Sequence, residues 1–277
     1  VKEHVGPFTY NSARFVIGSL SLVPLVLVRR ARGIPATTET GDGRRMSPLV
    51  AGLIAGAFLF CGASLQQIGL LTTTAGKGGF ITGLYVVLVP ILGLFGGQRA
   101  GWSAWVGAVL SVVGLFLLSV TDSLSIGTGD LLVLIGAFFW AGHVQAVGWL
   151  SRRTDPILLA CLQFVVCAIA SLVAALVFEQ PRFSGIIDGI VPILYGGLLS
   201  VGVAFTLQVV AQRNAPPAHA AILLSLETVF AALGGAVLLG ETLSPRGIVG
   251  CVVMFVGMLV CQTPLIVGSL AGARRRV

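Results

Sequence analysis

The chain alternates long apolar runs with short polar gaps over its 277 residues. Runs at 8–28, 49–71, 78–97, 102–120, 131–150, 157–178, 186–211, 218–240 and 247–267 each approach the ~20 residues a helix needs to cross a bilayer. The pattern predicts an all-α, polytopic membrane protein with nine spans. The widest gap, 29–48, is rich in Gly, Thr, Pro and Arg and reads as an irregular, mobile loop. A short polar turn, Gly240-Glu241-Thr242-Leu243-Ser244-Pro245-Arg246, separates the last two runs.

The runs repeat. Val106-Gly107-x6-Gly114-Leu115 returns as Val249-Gly250-x6-Gly257-Met258 at an offset of 143. Pro7 and Phe15 return as Pro156 and Phe164 at an offset of 149. Leu88-Val89-Pro90 pairs with Leu226-Glu227-Thr228 at an offset of 138, which makes the turn five residues longer in the second copy. The expected division is a first repeat over 1–121 and a second over 122–277. The first span matches the sixth, five crossings later, and an odd number of crossings reverses direction. The halves are therefore inverted repeats, the mark of secondary transporters that bind substrate near the midplane.

The second repeat opens with the 131–150 span, whereas 1–7 matches only the connector 151–156. The first repeat is thus expected to lack its first helix, giving nine helices of an expected ten. Another helix encoded upstream follows from that expectation, and without it the cavity wall should have a lateral gap.

Composition agrees with the membrane reading. Hydrophobic residues make up 56%, charged residues 10%, and mean hydropathy is +1.00, against about 25% charged residues in a soluble domain. The 37 glycines suit close helix packing, as in Gly52-x3-Gly56 and Gly93-x3-Gly97. The net charge of +7 is not a nucleic-acid footprint, because its placement alternates. Arg29, Arg30, Arg32, Arg44, Arg45, Arg99, Arg152, Arg153, Arg213, Arg274, Arg275 and Arg276 are 12 of the 17 Lys and Arg, all in alternate gaps. The positive-inside rule puts those gaps and the C-terminus in the cytoplasm, with Val1 outside; the expected location is a plasma (bacterial inner) membrane. Orientation then puts Arg14 near the outer end of its span and its counterpart Gln163 near the inner end of its own. The five cysteines lie within apolar runs with no C-x-x-C pair, so neither a disulfide framework nor a metal site is expected, and no cofactor is called for.

Few polar residues lie inside the spans. Glu227 sits far from either end of its run, where a carboxylate is costly and marks function by default. It reads as a coupling or gating group, with a structural carboxyl hydrogen-bonded between helices as the alternative. Trp140 and His143 are i and i+3 on one helix and share a face; the pair reads as a cavity wall that stacks on substrate beside a titratable group, or as ordinary packing. Tyr85 and Gln66 could line the same space. Gln208 and Gln212 are expected to snorkel, and Lys77, His219 and Glu241 to be solvated near the interfaces. No Arg or Lys is expected deep in the cavity. An intramembrane hydrolase would need a nucleophile beside a base, but neither G-x-S-x-G nor H-E-x-x-H occurs, so the chain is not read as an enzyme.

Taken together, Pro7-x6-Arg14-Phe15, Leu84-Tyr85-Val86-Val87-Leu88-Val89-Pro90, Phe139-Trp140-Ala141, Leu226-Glu227-Thr228 and Leu239-Gly240-Glu241-x8-Gly250-x6-Gly257 make the chain resemble the drug/metabolite transporter superfamily, specifically its EamA-type family. The resemblance implies two five-helix repeats, both termini inside, and export of small metabolites such as amino acids. Thr228 departs from the family, which usually has proline there, and is expected to leave that helix less kinked. The resulting expectation is alternating-access export of a small amphipathic metabolite across the plasma membrane. Substrate-binding residues would be Trp140, His143, Tyr85 and Gln66; coupling or gating would fall to Glu227. The partners are a small-molecule substrate, the lipid bilayer and protons as coupling ion, with no nucleic acid. Multidrug or organic-cation efflux and metabolite uptake are the alternatives.

Overall fold

The computed structural model describes residues 5–36, 46–120, 127–180, 183–238 and 244–274. Among them, nine helices are long and apolar enough to cross a membrane: Pro7–Ala31 (α1), Pro48–Gly69 (α2), Ala75–Phe95 (α3), Trp102–Ser119 (α4), Thr128–Leu150 (α5), Pro156–Phe178 (α6), Ile190–Gln212 (α7), Pro217–Gly234 (α8) and Pro245–Thr263 (α9). They follow the apolar runs in number and order. Residues 37–45 of the 29–48 gap, Glu241 and the Arg275 and Arg276 end of the basic tail lie outside the described residues.

Helices α1 and α6 form the central antiparallel pair, with Phe15 and Phe164 fully buried and their rings 6.0 Å apart. A carboxylate fastens each end. At one end Asp155 caps α6 by accepting from the Leu158 N–H at 3.0 Å, and it pairs with Arg29 in the last turn of α1. At the other, Glu179 accepts from the N–H groups of Phe8 (2.7 Å) and Thr9 (2.9 Å) and from the Thr9 hydroxyl (2.6 Å). Both carboxylates thus satisfy orphan donors at a helix N-terminus, where negative charge is favoured. Glu179→Ala should cost about 1–2 kcal/mol and lower the melting temperature of detergent-purified protein by a few degrees; no change in melting would show that water caps α1 equally well.

A second antiparallel pair joins α4 and α9. Gly107 lies against Gly257 and Gly114 against Gly250, so close that a Cβ on Gly114 would stand 2.5 Å from the Gly250 carbonyl. The two copies of the Gly-x6-Gly repeat therefore cross each other in opposite directions, as inverted repeats related by a pseudo-two-fold axis do.

Two spans are interrupted. Helix α3 runs from Ala75 to Gly83, breaks at Leu84 and resumes over Tyr85–Phe95. Helix α8 runs from Pro217 to Ser225, breaks at Leu226 and resumes over Glu227–Leu238. The breaks fall at an offset of 142, not the 138 that anchoring on Pro90 gives, so Tyr85 is the structural counterpart of Glu227. Thr228 does not spare α8 its break. Its hydroxyl donates to the Ser225 carbonyl at 2.8 Å, and the Ser225 hydroxyl to that of Ile222 at 2.7 Å. Such back-bonding satisfies carbonyls that a break leaves weakly bonded and often bends a helix.

Helix α7 is π-helical over Tyr195–Phe205. Its Gly197 packs against Ile17, and its Val201 against Gly18, so the widened turns lie close on α1.

Candidate functional site

A cavity of about 250 Å³ lies among α1, α2, α3, α5, α7 and α8. Its floor plan comes from the two broken helices: Tyr85 and Glu227 each open the second half of their helix, ten residues into the span. At 1.5 Å per residue that is about 15 Å from the end of the span, near its middle. A half-helix N-terminus also favours the carboxylate of Glu227 electrostatically.

Four of the residues singled out from the sequence, Gln66, Tyr85, Trp140 and Glu227, stand on the cavity wall. The Gln66 amide donates to the Thr82 hydroxyl at 3.1 Å, tying α2 to α3. Trp140 lies edge-on to Phe205, ring centroids 5.9 Å apart, and among the described residues its buried indole N–H has no partner. Glu227 is accessible from the cavity, and among the described residues nothing hydrogen-bonds its carboxylate. The reading of Glu227 as a carboxyl bonded between helices therefore has no partner to rest on.

His143 is a correction. It is fully buried off the wall, with its Nε2 2.9 Å from Gln163 Oε1 on α6. With that oxygen accepting, the ring carries its proton on Nε2. Residues i and i+3 are about 60° apart around a helix, enough to turn His143 into the α5–α6 interface while Trp140 keeps the cavity. Gln212 is a second correction. It is buried and does not snorkel; its amide donates to the Val144 carbonyl at 3.3 Å.

The third correction changes the chemistry. Arg14 lines the cavity and is 9% exposed, so a guanidinium does lie deep in the fold. It stacks over the rings of Tyr10 (5.2 Å) and Phe15 (4.9 Å), and among the described residues its Nε has no hydrogen-bond partner. Among the described residues no carboxylate pairs with it. Its sequence signal was an arginine inside an apolar run, and intramembrane charge of that kind faces an interior cavity by default. Gln67, Ser200 and Gln208 complete the polar wall.

One end of this cavity is closed. Val89, Ala141, Val144 and Ala221 form a buried apolar cluster under Tyr85 and Leu224. Gln145 latches it by donating to the Val89 carbonyl at 2.7 Å and accepting from Gln98 at 2.9 Å. Beyond the cluster lies a wider cavity of about 740 Å³ that carries Arg99, Arg152 and Arg153. The central cavity's wall sets Arg14 and Glu227 among amide, hydroxyl and aromatic side chains. Among the described residues no group of His, Cys, Asp and Glu is arranged to hold a metal ion.

The sequence pattern of the EamA-like transporter family matches residues 1–120 and 127–262. An uncharacterized transporter of Archaeoglobus fulgidus is 30% identical over 264 residues, covering 93% of this chain and 77% of that one. A chloroplastic WAT1-related protein of Arabidopsis thaliana is 26% identical, covering 94% of this chain and 63% of its own length. An uncharacterized transporter of Methanothermobacter thermautotrophicus is 25% identical, over 92% and 76% of the two chains. Among solved structures, one crystal structure superposes with a TM-score of 0.74 at 18% identity, over 94% of this chain and 90% of that one, a likeness of fold. With both repeats matched by one family and the inverted helix pairs in place, this chain belongs to the EamA-like transporter family, a multi-pass membrane transporter.

Proposed function

We propose that this transporter exports a small zwitterionic amphipath, an amino acid or a close relative, from the cytoplasm across the plasma membrane by alternating access. The observation that carries the reading is the joint presence of the Arg14 guanidinium and the Glu227 carboxylate, not paired with each other, in one cavity of about 250 Å³. A guanidinium matches a carboxylate in its fork geometry, and Glu227 supplies the opposite charge for an ammonium. Tyr85, Trp140 and Phe205 offer the apolar surface for a side chain. A permanent organic cation fits less well, because Arg14 would repel it. The arginine-rich gaps support an inward-facing C-terminus. The apolar cluster over Val89 and Val144 then serves as the inner gate, closed in this state. Protons are the coupling ion in this reading, with Glu227 as the carrier, and the alternating-access step is the opening of that cluster as the repeats rock.

Counterflow of labelled amino acids into vesicles reconstituted with the purified protein tests the reading. Saturable counterflow of one or more zwitterions, uncompeted by tetraphenylphosphonium, is expected. Flux of the organic cation with none of the zwitterions would replace this reading with cation efflux.

Trp140→Ala should weaken that counterflow by more than tenfold, since an aromatic wall residue contributes both apolar area and edge-on contacts. Trp102→Ala should change it less than twofold, because Trp102 is 74% exposed on α4, outside the cavity. Equal effects of the two substitutions would remove Trp140 from the binding wall.

A further inference from the structure

We propose that the wider cavity beyond the apolar cluster is an anion site that takes a phosphoryl group, distinct from the central cavity. It measures about 740 Å³ and gathers arginines from two separate segments of the chain, Arg99 after α3 and Arg152 and Arg153 after α5, with the His219 imidazole in the first turn of α8 beside them. Two helix N-termini face the same space, Gly101 capping α4 and Pro216 capping α8. Their dipoles favour an anion, as do the free N–H groups of the first turns, although Pro216 and Pro217 supply none. Among the described residues that line it there is no carboxylate.

Separation from the central cavity is built into three helices at once. On α3 the order is Tyr85 in the central cavity, Val89 in the apolar cluster and Gly93 in the basic cavity. On α5 it is Trp140, Ala141 and Gly148; on α8, read backwards, it is Glu227, Ala221 and Ala218. A ligand held by Arg99 and Arg152 therefore does not share the Arg14 site.

Positive charge at this end would serve topology without converging anywhere. Here it converges on a recess whose wall is also apolar. Arg153 lies over the Trp149 ring at 4.3 Å and donates to the Trp149 carbonyl at 3.1 Å, which fixes the indole at the rim. Pro90, Gly148 and Pro217 offer a nonpolar floor. Basic recesses between membrane helices, with an apolar floor, suit a phosphate head group. Arginine forks match phosphoryl oxygens in pairs. The phosphoryl group can come from an anionic phospholipid or from a soluble phosphate, and the same residues would hold either.

The test uses the full chain purified in detergent. Retention of phosphatidylglycerol against phosphatidylcholine is counted by native mass spectrometry, and sodium phosphate is titrated at constant ionic strength while indole emission is followed, since Trp149 sits at the rim. Selective retention of phosphatidylglycerol identifies a lipid head group; a saturable response to phosphate identifies a soluble ligand; either supports the site. The R99Q/R152Q double variant should lower whichever affinity is seen by about tenfold or more. An R30Q/R32Q control removes the same charge at the same end, from residues that do not line the cavity, and should change it less than twofold. If the first pair does not purify as folded protein, R99K/R152K decides instead: it keeps the charge, loses the fork and should fall between the other two. Equal losses in the cavity pair and the control pair, or neither lipid preference nor phosphate response in the unaltered protein, would overturn the proposal.

Discussion

Arg14→Gln is expected to slow zwitterion counterflow about ten- to hundredfold, while the protein melts at the same temperature or higher. The rate effect follows from losing a charge-assisted contact to a substrate carboxylate, worth about 1.5–3 kcal/mol, at about 1.4 kcal/mol per factor of ten. The stability effect has the opposite sign to that of a structural residue. Among the described residues Arg14 is buried without a paired carboxylate and its Nε is unbonded, and a buried unpaired charge costs the fold energy that glutamine does not. Arg14→Lys keeps the charge but not the fork, so it should recover only part of the rate. Undiminished counterflow in Arg14→Gln would take the carboxylate contact, and with it the zwitterion reading, off this cavity.

Glu227→Gln is expected to abolish the acceleration of transport by an imposed proton gradient, a loss of about tenfold or more in the gradient-driven rate. Gradient-free counterflow should fall less. The side chain opens on the cavity and is held by no described hydrogen bond, so the amide should fold in its place. A carboxylate beside a water-accessible cavity can take up a proton on one side and release it on the other as the repeats rock; an amide cannot. The pH dependence of flux should flatten for the same reason. A gradient response in Glu227→Gln equal to that of the unaltered protein would leave protons without a carrier here. The two substitutions probe different things, since Arg14→Gln should weaken transport with or without a gradient.

The tyrosine that answers Glu227 in the other repeat sharpens this picture. Tyr85 and Glu227 occupy matching positions at the two helix breaks, so the axis that relates the repeats puts a phenol opposite a carboxylate. At the two breaks, one repeat thus supplies a carboxylate and the other a phenol. An offset of 138, anchored on Pro90, pairs Glu227 with Val89 and hides this.

The spans, their order and their inversion were legible in the sequence. The reason is energetic: in a bilayer each backbone polar group must be bonded within its own helix, so length and hydropathy alone delimit the spans. The Gly-x6-Gly repeat was legible too, because only glycine lets the α4 and α9 backbones approach so closely. Glu227, Trp140, Tyr85 and Gln66 announced themselves as rare polar or amphipathic groups at depth. What the sequence could not fix was rotation about each helix axis. These spans are apolar nearly all round, so no polar face says which side meets the cavity. His143 turned into α6, Arg14 turned into the cavity, and Gln212 found the Val144 carbonyl. Each outcome depends on which helix packs alongside. The positions of the two helix breaks, and the apolar cluster that parts the Arg14 cavity from the arginine-rich one, exist only once α3, α5 and α8 lie side by side. Tertiary packing decides them because a turn of tens of degrees costs an isolated apolar helix almost nothing, yet changes every neighbour of a packed one.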